Sequence, residues 1–412
     1  MNHFITNIHV NELLHLNNFD IPISDEKYPH LIITGKNGSG KTILLNAIAD
    51  FLNIIKDEKS MSFLSYKKDL SYWQGIINSQ NDQQRMRAKK NTVYYEGLID
   101  KLWGRVDVNI DNISNVIEKY NEDNFLIVFY QASRIVSMLE PKNPTKPQYK
   151  IQGGVKETAT AQFLNFLSDL KIQEALARNE KQIKDAERIE LWFDGFESLL
   201  KRLYQDTSLK LEFNYKDYSF KICTEGKKFK FTELSDGFSA VLDIVADLIL
   251  KMQGEETLSG DYQKQGIVLI DEIETHLHLE LQKNIMPFLT QIFPNIQFIV
   301  TTHSPFVLSS MPNAVAYDLE HRKPIENLSD YSYEVLAEGY FGVSTESSSV
   351  EMRLQKLIEL LSQKELTDSD KNTIRQIITE LDKISEAVSP DLVGEYRKVK
   401  LDHVNVIKEV LE

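Results

Sequence analysis

The length, composition and charge of the chain exclude several classes of protein. Its 412 residues are 42% hydrophobic and 26% charged, the proportions of an ordinary globular protein of two or three domains. No apolar run reaches the ~20 residues of a membrane span, and the N-terminus lacks a secretion-signal pattern. A single cysteine, Cys223, allows no internal disulfide. A net charge of −14 argues against binding of nucleic acid over the whole surface. We therefore expect a cytoplasmic protein without a membrane segment.

Residues 1–53 predict one lobe of a nucleotide-binding domain. Two short strands between residues 5 and 23 precede an apolar run at 31–33, a glycine-rich loop at 35–42 and a segment of helical period. Glycines let backbone N–H groups turn towards a phosphate chain, and a helix N-terminus adds partial positive charge. We expect Lys41 to reach the β- and γ-phosphates of ATP and Thr42 to hold Mg²⁺. The predicted nucleotide-binding residues of the loop are Gly35, Asn37, Gly38, Ser39, Gly40, Lys41 and Thr42.

Residues 54–206 predict two helical insertions on either side of a core strand. Residues 54–122 are polar and dotted with aromatic side chains, which favours a helical insertion with a small core. The basic cluster at 85–90 within it fits a nucleic-acid contact or a solvated helix face. Residues 123–140 contain an apolar run typical of a buried strand, directly followed by Gln131. After prolines that mark a boundary, residues 141–206 predict an antiparallel pair of helices.

Residues 207–331 combine a small antiparallel sheet with two motifs that carry chemistry. The alternating segments at 209–213, 218–222 and 228–231 predict three strands. The sequence Leu234-Ser235-Asp236-Gly237 then precedes an apolar helix at 240–250. Alone, that sequence also fits a routine helix N-cap.

A second apolar strand, at 266–270, ends in Asp271 and Glu272. Two acids that close a buried strand each need a partner, which favours a functional site. We expect Asp271 to lie beside Thr42 and bind Mg²⁺, and Glu272 to polarise the attacking water. The sequence Glu274–His278 that follows has two histidines and a carboxylate, but its spacing does not favour a zinc site.

A third apolar strand, at 298–302, delivers His303. In isolation a histidine at this position fits either a core imidazole or a functional side chain.

The ordered set of motifs resembles the ATP-binding cassette ATPases, in the SMC/RecF/OLD-like branch. The signature departs from that of many members at Asp236 and Phe238, so Ser235 and Gly237 carry the resemblance there. The match comprises Gly35–Thr42 as Walker A, Gln131 as the Q-loop, Leu234–Gly237 as a variant signature, Ile267–Glu272 as Walker B, Glu274–His278 as the D-loop region and His303 as the switch histidine.

The resemblance implies an α/β fold, an ATPase head with a mixed sheet, an antiparallel β subdomain, a helical insertion and C-terminal helices. It implies a homodimer, or a higher homo-oligomer, in which Ser235 and Gly237 of one chain contact the γ-phosphate bound by the other. It also implies catalytic roles for Glu272, His303 and Gln131. Thr42, Asp271 and Gln131 are the implied ligands of Mg²⁺.

Within that branch, Glu274–His278, the insertion and residues 334–343 resemble the ATPases of bacterial anti-phage systems, including the PtuA ATPases of Septu and retron-linked systems. This resemblance implies a separate nuclease partner of the HNH type, with nucleic acid reached through that complex. A RecF-like ATPase that binds DNA directly is the alternative, and a transporter ATPase is disfavoured. Residues 332–412 predict a C-terminal helical region with an apolar stripe that a partner or the chain itself could bury. Its members are Leu354, Leu357, Ile358 and Leu361.

Overall fold

In the computed structural model, contacts divide the chain into two units, residues 1–331 and 332–412. The structure describes residues 4–23, 30–56, 59–79, 81–133, 138–141, 159–253, 262–311, 314–325, 348–363, 366–382 and 390–411. The strands of the first unit are β1 (Ile5–Leu13), β2 (Leu16–Pro22), β3 (His30–Thr34), β4 (Val106–Ile110), β5 (Phe125–Tyr130), β6 (Lys210–Asn214), β7 (Ser219–Thr224), β8 (Lys227–Lys230), β9 (Gln265–Ile270), β10 (Ile296–Thr301), β11 (Ala314–Asp318) and β12 (Lys323–Ile325). Its helices are α1 (Lys41–Lys56), α2 (Lys59–Gly75), α3 (Asp82–Trp103), α4 (Ile113–Asn121), α5 (Phe163–Asn179), α6 (Ile183–Tyr204), α7 (Asp236–Met252), α8 (Leu279–Ile292) and α9 (Pro305–Leu308).

A six-stranded sheet with the order β12-β11-β3-β10-β9-β5 positions the site. Its strands run parallel, except that β12 pairs antiparallel with β11 at one edge. Every residue of β3, β5 and β10 is buried, because helices cover both faces of such a sheet and apolar residues fill both. The predicted α/β fold with a mixed sheet is therefore confirmed. The carboxyl ends of β3, β10, β9 and β5 meet at one edge of the sheet.

A second sheet corrects the interpretation of residues 54–122. Strand β4 pairs antiparallel with β1, which also pairs with β2, so these residues are not all helical. Val106 and Val108 are buried in the same core as β1, since alternate residues of β4 face that core. The predicted limit after residue 53 also falls inside α1. Only α2 and α3 form the helical insertion.

Helices α2 and α3 form a hairpin anchored to the first unit near its base. Phe63 of α2 packs edge-on against Phe51 of α1, and Lys67 of α2 pairs with Asp107 of β4 at 2.6 Å. Further along the hairpin Tyr72 is 61% exposed and Tyr94 is 59% exposed. The predicted small aromatic core is thus wrong for these two side chains, which lie at the surface.

The second helical insertion and the small sheet match their predictions closely. Helices α5 and α6 are joined by three residues and pack together through Phe163, Phe166, Trp192 and Phe196. Strands β6, β7 and β8 form an antiparallel sheet. Helix α7 begins at Asp236, four residues before the predicted start, so Ser235 is its N-cap and Asp236 and Gly237 lie in its first turn.

The second unit consists of helices α10 (Ser348–Leu361), α11 (Asp368–Leu381), α12 (Pro390–Asp402) and α13 (Val404–Leu411). Thr367 caps α11 through a reciprocal pair of hydrogen bonds with Asp370. The predicted apolar stripe is covered within this unit, since Leu354, Leu357 and Leu361 are buried in its core and Ile358 packs against it. Residues 334–343 lie outside the described residues. Within the described part of the chain, no helix is both long and apolar enough to cross a bilayer.

Candidate nucleotide site

Four strand ends bring the predicted site residues to one edge of the six-stranded sheet. The glycine-rich loop follows β3, His303 follows β10, Asp271 and Glu272 follow β9, and Gln131 follows β5. Neighbouring strands lie about 4.8 Å apart, so the loop and the two carboxylates are separated by about 10 Å across β10. A phosphate chain with a cation and a water molecule fits in such a gap.

The loop between β3 and α1 has the backbone of a phosphate cradle. Gly35, Gly38 and Gly40 have φ angles of 142°, 84° and 99°, which side chains other than glycine rarely tolerate. A Cβ atom on Gly40 would lie 2.8 Å from Leu16, so that position also needs glycine for space. The loop leads directly into α1, whose first N–H groups have no intrahelical acceptor. Loop and helix together present N–H groups to an anion.

Lys41 is folded back onto this loop. Its Nζ atom donates to the carbonyls of Gly35 at 2.7 Å and Lys36 at 3.1 Å, and the residue is 5% exposed. Burial lowers the pKa of Lys41 to about 8, and the nearby carboxylates, of which Glu274 has the largest effect, oppose that shift. Two carbonyls do not neutralise the ammonium charge. A phosphate group in the cradle would do so.

Asp271 and Glu272 are held by one hydroxyl group. Thr301, at the end of β10, donates its hydroxyl to Asp271 Oδ1 at 2.6 Å and accepts the backbone N–H of Glu272 at 2.8 Å. Asp271 is 1% exposed, whereas Glu272 is half-buried. Glu272 has a φ of 45°, a left-handed conformation that few residues other than glycine, asparagine and aspartate adopt. The backbone is therefore strained where it presents this carboxylate.

Glu274 fixes the segment that carries His303, a role that the sequence motifs do not indicate. Its carboxylate accepts the hydroxyl of Thr302 at 2.8 Å and the backbone N–H of His303. Burial raises the pKa of Glu274, and these two hydrogen bonds oppose the shift. In the sequence, only the presence of a third carboxylate so soon after Asp271 indicates this role, because both partners lie about 30 residues later, just after β10.

His303 is half-buried beside this network. Burial lowers its pKa, as does the positive charge of Lys41, while Glu272 and Asp271 oppose the shift. The imidazole is therefore neutral at neutral pH, so one ring nitrogen can donate a hydrogen bond and the other can accept one.

Gln131 lies at the same edge as Asp271 but is exposed. The carbonyl of Tyr130 just before it accepts the N–H of Asp271 at 2.8 Å, which fixes the two strand ends relative to each other. Gln131 therefore directly follows the buried strand β5, as the sequence predicts.

Ser235 and Gly237 lie at the start of α7, not at a strand end. Ser235 is the N-cap of α7; it is exposed and its side chain makes no capping hydrogen bond. A Cβ atom on Gly237 would lie 2.8 Å from the carbonyl of His276, so glycine allows the D-loop region to pack against this turn. A cavity of about 390 Å³ adjoins the turn, with Asp236 and Ser239 in its lining.

A buried network joins α7 to the strand before Gln131. Asp247 of α7 is fully buried and accepts the hydroxyl of Tyr130 at 2.7 Å and the ammonium group of Lys251 at 2.6 Å. Its second oxygen accepts the N–H of Ala159. The signature helix is thus linked through its middle to the sheet.

The residues at the edge suit Mg²⁺ better than zinc. Thr42 is exposed at the start of α1 and Asp271 closes β9, so both offer the oxygen donors that Mg²⁺ prefers. Among the described residues, no group of three or more histidine, cysteine, aspartate or glutamate side chains has the geometry of a metal site.

Comparison with known proteins agrees with the motifs. Residues 224–309 match a family model described as "AAA domain, putative AbiEii toxin, Type IV TA system". The chain is 23% identical to the Septu protein PtuA of Bacillus mycoides (strain KBAB4) over 393 residues, which cover 92% of this chain and 50% of that protein. It is 48% identical to the "Retron Ec83 probable ATPase" of Escherichia coli over 80 residues, 18% of this chain and 14% of that one.

The predicted resemblance to Septu PtuA and retron ATPases is confirmed. The chain spans half the length of that PtuA protein and a smaller part of the retron ATPase. A solved SMC head bound to the C-terminal winged-helix domain of ScpA matches 76% of this chain and 94% of its own, with 15% identity and a TM-score of 0.38.

Proposed function

We propose that this chain binds and hydrolyses ATP, and that two copies close around the nucleotide to control a separate effector protein. One observation carries the ATPase part of the proposal. The phosphate cradle, the carboxylates of Asp271 and Glu272, and His303 converge on one edge of the sheet, beside the buried Lys41, whose ammonium group donates to loop carbonyls. The similarity to proteins named as ATPases agrees with it.

Catalysis in this proposal depends on positioning and electrostatics. Lys41 turns from the loop carbonyls to the β- and γ-phosphates. Glu272 accepts a hydrogen bond from the attacking water and orients it towards the γ-phosphorus. His303, held by Glu274, contacts the γ-phosphate, and Gln131 approaches from the neighbouring strand end.

The proposed ligands of Mg²⁺ are Thr42 and Asp271, with Gln131 as a further ligand. When bound, the cation would neutralise charge that develops on the β- and γ-phosphate oxygens. Asp271 accepts a hydrogen bond from Thr301, which orients its carboxylate.

The dimer is proposed because the signature presents a separate anion-binding surface. Ser235 is exposed at the N-terminus of the 17-residue helix α7, where a hydroxyl and the partial positive charge of the helix end can bind an anion. In the proposed dimer they contact the γ-phosphate in the partner's phosphate loop. Hydrolysis removes that contact and lets the two heads separate.

The proposed effector is a nuclease of the HNH type. The similarity to Septu PtuA over 92% of this chain supports this choice, which the sequence motifs also favour. A gene for an HNH protein beside this one, whose product co-purifies with the chain, would support it strongly. The alternative is a RecF-like ATPase that binds DNA directly and needs no nuclease partner.

Measurement of phosphate release by the purified chain tests the enzymatic proposal. We expect release with ATP and Mg²⁺, and its loss in Lys41→Ala and Glu272→Gln. Glu280→Gln is the matched control, because Glu280 is an exposed carboxylate on α8, away from the strand ends. Equal rates in Glu272→Gln and in the wild type would overturn the assigned role of Glu272.

A further inference from the structure

The outer face of helix α3 presents three consecutive pairs of exposed side chains. They are Arg85 with Met86, Lys89 with Lys90, and Val93 with Tyr94, four residues apart and therefore on one side of the helix. Met86 is 74% exposed and Val93 is 69% exposed. Ala88 and Thr92 face the other way and are buried. The face extends about 13 Å along the helix.

This face is cationic, although the chain as a whole is acidic. Residues 59–103 contain eight lysines and arginines against four aspartates and glutamates, while the whole chain carries −14. Arg85 pairs with Asp82 of the same turn. Within the described residues, Arg87, Lys89 and Lys90 have no carboxylate partner. Positive charge is therefore concentrated on this hairpin.

Aromatic rings lie among these cations. The guanidinium group of Arg87 lies 5.7 Å from the ring centre of Trp73, which packs edge-on against Tyr72. On α3 itself, Tyr94 packs edge-on against Tyr95. Tyr72 and Tyr94 are 61% and 59% exposed, so more than half of each side chain is accessible from solvent.

We propose that the outer face of the α2–α3 hairpin binds single-stranded nucleic acid. Arg85, Lys89 and Lys90 contact successive phosphates, and a base stacks on Tyr94. Stacking on exposed rings beside a basic track is how proteins hold single strands without base-specific contacts. An acidic protein segment would use the cations but would leave the faces of the rings without a partner.

The hairpin is suited to this role because its base is anchored at Phe51 and Asp107, away from the nucleotide-binding residues in the first turn of α1. The Phe63–Phe51 contact and the Lys67–Asp107 ion pair fix its base to the first unit. Asn81 caps α3 by accepting the N–H groups of Gln83 and Gln84, so the basic turns are ordered before any ligand arrives. The inference does not depend on the proposed ATPase activity.

Fluorescence anisotropy of a labelled oligothymidylate with the full chain tests the proposal. We expect Lys89→Glu/Lys90→Glu to weaken binding about tenfold or more and to reduce the slope of log affinity against log salt by about 1.4. The matched control is Lys216→Glu/Lys227→Glu, which makes the same charge change at two exposed positions of the small sheet, one in the turn between β6 and β7 and one at the start of β8. We expect binding by the control to remain within about twofold of the wild type.

Variants of Tyr94 test the contribution of its aromatic ring separately from that of the lysine charges. Tyr94→Ser should weaken binding about fivefold or more without changing the salt slope, and Tyr94→Phe should restore it, since a phenyl ring also stacks. Lys41→Ala should bind like the wild type. Thermal melting of each variant excludes loss of fold as the cause of weakened binding.

Two results would overturn the proposal. One is an equal loss of oligothymidylate affinity in Lys89→Glu/Lys90→Glu and in the control Lys216→Glu/Lys227→Glu, which would indicate non-specific electrostatic attraction. The other is competition by polyglutamate as strong as that by unlabelled oligothymidylate, together with no effect of Tyr94→Ser, which would indicate an acidic protein partner.

Discussion

The two parts of the proposed nucleotide site differ in how they are held. At the sheet edge, Lys41, Asp271 and Glu274 are all tied by hydrogen bonds to their neighbours. At the start of α7, Ser235 is exposed and its side chain makes no capping bond. The first part is preorganised within one chain, whereas the second presents donors to solvent.

In the proposed mechanism, this difference lets one chain bind nucleotide and reserves hydrolysis for the assembled pair. A preorganised cradle captures ATP, but charge on the γ-phosphate is fully stabilised only when donors surround it. In this account the second chain supplies the missing donors. Changes at the sheet edge should therefore abolish chemistry, and changes at α7 should abolish assembly.

The largest expected effect is at Glu272. Glu272→Gln keeps the shape of the side chain but removes the charge that orients the attacking water, so we expect hydrolysis to fall about 100-fold or more. ATP affinity, measured by equilibrium dialysis, should change little. Strong loss of ATP binding would instead place Glu272 in nucleotide capture.

A second prediction separates the two parts by mixing variants. Lys41→Ala and Ser235→Arg should each be inactive alone, because one lacks the cradle and the other blocks the partner's γ-phosphate. Mixed dimers combine one intact cradle with one intact signature, so activity should recover to about a quarter of the wild type. Phosphate release by a mixture that stays inactive would count against a shared site.

Glu274→Gln should have a smaller effect at the sheet edge. The amide keeps one acceptor oxygen but places an NH2 group at the other position, so the N–H of His303 and the hydroxyl of Thr302 can no longer both donate to it. One buried group is left poorly paired, which costs about 2 kcal/mol of folding free energy. We expect hydrolysis to fall about tenfold through misplacement of His303, with ATP affinity preserved. Hydrolysis at the wild-type rate after the same loss of stability would limit Glu274 to a structural role.

The smallest expected effect is that of pH on ATP binding. Burial lowers the pKa of Lys41 to about 8, and a bound phosphate would raise it, so binding takes up a proton above that pH. Affinity should be flat below about pH 7 and fall about threefold between pH 7.5 and 8.5. Calorimetry in buffers of different ionisation enthalpy measures this uptake directly, and binding without proton uptake at pH 8.5 would exclude Lys41 as the linked group.

The residues at the sheet edge could be predicted from the sequence because each of them comes just after the end of a strand. The apolar runs before Gly35, Asp271 and His303 are local patterns, and parallel strands bring their carboxyl ends together. The spacing of the motifs then fixed which residues meet, without any knowledge of the helices between them.

Other features depended on partners far along the chain. Strand β4 has a short alternating pattern, but it is ordered by pairing with β1, about a hundred residues earlier. The role of Glu274 depends on Thr302 and His303, which follow the end of β10. Exposure of Tyr72 and Tyr94 is equally a property of the folded hairpin, since aromatic side chains in sequence favour a core.

The mass of the Glu272→Gln variant in solution, with ATP and Mg²⁺, tests the central claim most directly. We expect a species of at least twice the mass of one chain. It should disappear without ATP and should not form in Glu272→Gln/Ser235→Arg. A single-chain mass under all conditions, with ATP bound, would contradict the shared site. Assembly that survives Ser235→Arg would contradict the role of α7 in it.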